Sequence, residues 1–155
     1  MKYRRLTTDE LHELEKEFVD FLVVNGITAD EWVNLKEQAP DKAEQIVDAF
    51  SDVVMEGVLR KIKFIDMITS GFLYCFQCLE DKMVLVGLEK DADVVIDFTQ
   101  RDQISEALAK KQKGIKIFTQ NKVYTKTREV ELFEMLSKGC NISDGTMFKT
   151  LSLGL

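Results

Sequence analysis

The chain has 155 residues and a mass of 17.8 kDa, and it is 45% hydrophobic and 31% charged, with one proline and eight glycines. That composition excludes a disordered tail and a collagen-like repeat, and ten Phe with six Met fill a core that needs neither disulfide nor metal. A net charge of −6 gives no overall field to draw in nucleic acid or an anionic bilayer.

Thr7 and Glu10 form a capping-box pattern that opens the first helix. Leu11, Leu14, Phe18, Phe21 and Leu22 continue it as one apolar stripe, and Gly26 ends it. Thr28 and Glu31 repeat the start signal for a short helix with Trp32 and Leu35. Pro40 stops that helix and opens the next. Ala43, Ile46, Val47, Phe50, Val53, Val54 and Val58 predict a long amphipathic helix to about residue 62.

The period then changes. Residues 63–68, 72–79 and 83–89 are apolar runs of strand length, and the short gaps between them require antiparallel neighbours. Residues 94–98 are read as a fourth strand and 101–111 as a helix. Residues 115–118 and 123–124 flank Gln120-Asn121 as a hairpin. Val130, Phe133 and Leu136 mark a last full helix before Gly139, with a short turn after Ser143 and an apolar tail. The expected fold is α+β, with N-terminal helices packed on one face of a mainly antiparallel sheet. It forms one domain over residues 1–155: a helical part at 1–62, strands with one helix at 63–125, and a C-terminal helix and tail at 126–155.

Cys75, Cys78, Cys140 and His12 make up the inventory of a Cys₃His zinc site. Cys75 and Cys78 lie in a strand pattern, however, where residues three apart point to opposite faces. The pair also lacks the helix N-terminus that activates a thioredoxin-like thiol. They are read as buried structural cysteines, with a metal or redox role as the alternative. His12 is followed by Lys16 where a zincin needs its second histidine. Asp48, Asp52 and Glu56 line one side of the long helix and are read as a solvated face. No phosphate-binding glycine loop and no nucleophile elbow is present, so no catalytic residue and no cofactor is assigned. Three cysteines, an odd number, and a start without an apolar run after Met1 point to a soluble, reduced, cytoplasmic protein.

Charge is uneven along the chain: residues 1–99 carry a net −10 and residues 100–155 a net +4. Lys110, Lys111, Lys113, Lys116, Lys122, Lys126 and Arg128 form the main basic concentration, interleaved with Phe118 and Tyr124. This is one arrangement that binds single-stranded nucleic acid or another polyanion, but ordinary hairpins also carry Lys outward and Phe inward, so polyanion binding is kept as an alternative and nucleic acid is not the expected partner. Met55 and Leu59 stand off the main stripe of the long helix and are read, with the basic set, as a partner surface for another protein or a second copy.

Four stretches carry a family resemblance: residues 1–6, 26–32, 50–52 with 57–59, and 131–136. The chain resembles an uncharacterised bacterial family of small cytoplasmic proteins, classed only as a domain of unknown function. The resemblance implies no activity, cofactor or catalytic residue. The function expected is that of a non-enzymatic protein-interaction module.

Overall fold

Two threonines open the first helices by the same chemistry. In the computed structural model, which describes residues 1–155, Thr7 Oγ1 accepts from the Glu10 N–H, and the Glu10 carboxylate accepts from the Thr7 N–H. Thr28 and Glu31 repeat both bonds. These reciprocal caps satisfy backbone donors that the first helical turn leaves orphaned. They start α1 (Thr8–Glu13) and α3 (Ala29–Gln38).

The helix expected after Thr7 is divided in two. Leu14, with ψ at 21°, interrupts it and begins α2 (Glu15–Val24). Gly26 ends α2 with φ at +74°, a conformation open to glycine at little cost. Pro40 opens α4 (Pro40–Lys61), as the missing proline N–H allows.

Residues 1–60 form one of two compact units. Its centre is aromatic: Phe18 meets Trp32 and Phe50 edge-on, with ring centroids 5.1 and 5.0 Å apart, and Phe21 lies 5.4 Å from Phe50.

The buried stripe of α4 differs from the expected one. Val53 and Val58 are exposed, whereas Ser51 and Leu59, eight residues apart and outside that stripe, are buried beside its Ala43 and Phe50. The segment before α1 explains part of the shift. The Leu6 N–H donates to Ser51 Oγ at 3.0 Å, and Ser51 Oγ donates to the Val47 carbonyl at 2.8 Å. Leu6 itself is buried. The chain preceding the helices therefore occupies the side of α4 that the apolar pattern alone had assigned to solvent.

Residues 61–155 form the second unit. Its sheet is antiparallel throughout, in the order β4-β3-β2-β1-β5. The strands are β1 (Phe64–Ile68), β2 (Phe72–Cys78), β3 (Lys82–Lys90), β4 (Ile115–Val123) and β5 (Asn141–Ser143). Between them lie α5 (Arg101–Lys110) and α6 (Arg128–Ser137), and α7 (Thr146–Ser152) follows β5. The fold class is α+β, with seven helices, and the first four helices precede the strands.

One face of the sheet carries Leu73, Cys75, Val86 and Leu88. These pack with Phe98, with Ile104 of α5 and with Leu151 of α7 into a closed apolar cluster. No helix is long and apolar enough to cross a membrane.

Two strand expectations are corrected. Residues 94–98 are turn and coil. Asp97 Oδ1 accepts from both the N–H and hydroxyl of Thr99, a local turn that competes with ladder pairing. Phe98 still reaches the core, and its N–H bonds the Ser70 carbonyl. The hairpin at Gln120-Asn121 is instead the middle of one nine-residue strand, in which Gln120 pairs with Leu85 and Asn121 with Val84. Neither residue is a glycine, and neither adopts the positive φ that a two-residue hairpin turn requires. The turn after Ser143 extends into α7, with Gly145 at φ +86° before it.

Ser51 gives a direct test of the N-terminal packing. Ser51→Ala removes the acceptor of the buried Leu6 N–H, and the gain in helix propensity offsets only part of that loss. The expected destabilisation is about 1–2 kcal/mol, read as a lower midpoint in urea denaturation followed by circular dichroism.

Candidate functional site

The acidic row of α4 is occupied by the chain's own N-terminal segment. Asp52 accepts from the backbone N–H groups of Lys2 at 2.7 Å and Tyr3 at 3.0 Å. Glu56 accepts from the Tyr3 hydroxyl and pairs with Lys2, while Asp48 pairs with Arg5 at 2.5 Å. The hydrogen bond from Tyr3 holds Glu56 below its ordinary range, and that from Arg5 does the same for Asp48. All three carboxylates are acceptors already engaged, so the row is a docking rail for residues 2–5.

The cysteines and His12 are dispersed in their roles. Cys75 belongs to the closed cluster, and the register puts Cys78 on the opposite face of the sheet. All three cysteines are free and buried. Burial raises each thiol pKa, with that of Cys78 reaching about 11, so the unreactive protonated form prevails. His12 is exposed on α1. No three His, Cys, Asp or Glu side chains are grouped as a metal site.

Asp66 was not singled out in the sequence, although a lone carboxylate inside the apolar run 63–68 is a visible signal. It is 8% exposed, and its Oδ1 has no hydrogen-bond partner. The register sets it between Cys75 on β2 and Asn141 on β5. Desolvation raises its pKa, against smaller opposing effects from the Ser143 and Cys75 side chains; the charge of Asp144 adds to the rise.

Most of the basic set is engaged internally. Lys110 pairs with Glu106 at 2.5 Å, Lys122 with Glu131 at 3.1 Å and Lys126 with Glu134 at 2.5 Å. Arg128 binds three carbonyls, those of Ile62, Cys78 and Leu79, and so closes the ends of β1 and β2. Lys111, Lys113 and Lys116 are exposed and make no ion pair. The Lys116 ammonium stands 5.7 Å from the Phe118 ring centroid. Of the other two partner-surface residues, Met55 is half-buried and Leu59 has no exposed surface, so Leu59 is a core residue.

The remaining basic side chains lie on or just before β4, which ends the sheet. The direction of its backbone follows from two bonds. In an antiparallel ladder both backbone groups of a residue point to the same side. The Leu79 N–H donates to the Lys82 carbonyl, so even-numbered residues of β3 face β2 and odd-numbered ones face β4. The Asp91 N–H donates to the Gly114 carbonyl at 2.7 Å, which extends the same alternation to β4. Lys116, Phe118, Gln120 and Lys122 thus bond back to β3. The N–H and C=O groups of Ile117, Thr119, Asn121 and Val123 point away from the sheet, where no strand pairs with them. The side chains of 119–123 are exposed.

Phe118 is held flat against this strand pair. Its cross-strand partner is Gly87, and a Cβ there would come within 2.4 Å of the Phe118 ring. Tyr74 meets Phe118 edge-on at 6.1 Å, and its hydroxyl bonds Glu89 at 2.5 Å.

The chain belongs to a family of unknown function (DUF6495), which matches residues 1–154. No curated protein and no solved structure matches it.

Asp66 supplies the pH test. Its folded pKa is raised, so the native state holds the proton more tightly than the unfolded chain. Its contribution is most favourable at pH below the ordinary aspartate value and is lost as pH rises through the folded pKa. Asp66→Asn removes that loss. The variant is expected to be about 1–3 kcal/mol more stable than the parent at pH 7, with the gain shrinking towards pH 3, in denaturant titrations across that range.

Proposed function

We propose that this protein is a non-enzymatic interaction module that binds another protein through the free edge of its sheet. The observation that carries this reading is the outer side of β4, a nine-residue strand with a row of unpaired backbone donors and acceptors. An exposed edge is a template for another extended chain, and natural sheets shorten or cover edges that have no such use. The opposite edge, β5, is three residues long. The contrast supports β4 as the working edge.

A reducing, cytoplasmic setting accords with three cysteines that are all free and buried. The acidic rail of α4 and the buried thiols are explained by packing, so neither calls for a catalytic role.

Asn121→Pro tests the reading. It removes one outward N–H and leaves the bonds to β3 in place, and proline is tolerated on an edge strand when its nitrogen faces solvent. Tagged wild-type and variant chains would be compared by affinity capture from native lysate, with thermal unfolding as the folding control. A partner retained by wild type and lost from a folded variant is the expected result. An identical set of captured proteins would count against it.

A further inference from the structure

The geometry points to an extended, acidic peptide segment of another protein as the occupant of the β4 edge, running antiparallel to it. This inference rests on the interaction-module reading and adds the partner's chemistry. Residues 107–128 hold seven basic side chains and no acidic one. The counter-charges of Lys110, Lys122 and Lys126 sit on α5 and α6. Lys111, Lys113 and Lys116, which have no ion-pair partner, gather at the N-terminal end of β4. A strand laid antiparallel on β4 brings its C-terminal half to that end, so that half should carry the carboxylates.

A second copy fits less well. Two β4 strands paired antiparallel about Thr119 would set Lys116 directly opposite Lys122. Both are even-numbered residues, which bond back to β3, so across the new interface they would meet as non-hydrogen-bonded pairs. Such pairs bring side chains closest, and like charges directly opposite are unfavourable. Nucleic acid fits less well too. Phe118 lies over Gly87 with its ring against Tyr74 and is not presented for base stacking, and three free lysines neutralise few phosphates. A row of amides and carbonyls at strand spacing matches a polypeptide.

The test uses the full chain and three labelled ten-residue peptides of alternating Thr and Val. One carries three Glu in its C-terminal half, and the others carry three Lys or three Gln at the same positions. Fluorescence anisotropy reads affinity, and amide hydrogen exchange reads the edge. The Glu peptide is expected to bind about tenfold more tightly than the Lys peptide, since three carboxylates near Lys111, Lys113 and Lys116 are exchanged for three ammonium groups. It should also slow exchange at the N–H groups of Ile117, Thr119, Asn121 and Val123. In the variant Lys113→Glu with Lys116→Glu, both on exposed side chains, the preference should invert. If that variant does not fold, the peptide series on the wild-type chain still decides.

Equal binding of the Glu and Gln peptides, with the same amides protected, would overturn the acidic partner and leave the edge reading standing. Binding of single-stranded oligothymidine in place of the Glu peptide would overturn it in favour of a polyanion. Protection of β4 that rises with protein concentration alone would overturn it in favour of a second copy. If no peptide protects the edge and Asn121→Pro captures what wild type captures, the interaction reading fails with it.

Discussion

The turn between β2 and β3 sets the orientation of everything in the second unit. One bond, from the Leu79 N–H to the Lys82 carbonyl, fixes which residues of β3 face each neighbour. A slip of one position would exchange the two faces of the sheet and move Val86 and Leu88 out of the cluster with Leu73 and Cys75. The same slip would turn the backbone of Ile117, Thr119 and Asn121 inwards. The core and the outer edge are two results of one parity.

In the first unit the organising contact is between an extended segment and a helix. Lys2 to Leu6 lie along α4 through backbone bonds to Asp52 and Ser51 and side-chain bonds to Asp48 and Glu56. Backbone N–H groups that would otherwise need water find acceptors on the adjacent Ser51 and Asp52, while Asp48 and Glu56, one turn to either side of Asp52, take the side chains. This explains an acidic row that is neither catalytic nor simply solvated. The ion pairs themselves are exposed and contribute little individually, whereas the buried Ser51 contact does not depend on salt.

Local chemistry was legible in the sequence where a few adjacent residues decide the outcome. Both capping boxes, the Pro40 start, Gly26 as a helix end and the first three strands are of that kind, since each depends on side chains within a turn of one another. The failures share the opposite property. Val94 to Phe98 has strand composition, yet Asp97 and Thr99 bend it. Gln120-Asn121 looks like a turn, yet the nine-residue length of β3 carries pairing straight through it. β5 is three residues long and shows no period. The opposite faces of Cys75 and Cys78 followed from strand alternation alone. Which lysines are engaged could not, because Glu131 and Glu134 reach Lys122 and Lys126 only after α6 folds back.

The unequal lengths of the two outer strands bear on stoichiometry. An edge that accepts a strand normally creates a new edge of equal length, which is how open-ended fibrils grow. Here the far side of the sheet ends in three residues, followed after Asp144 by Gly145 and α7. A chain of these molecules joined head to tail would have to match nine positions against three. Head-to-tail growth of this chain through β4 and β5 is therefore poorly matched, and the unequal edges work against open-ended self-assembly.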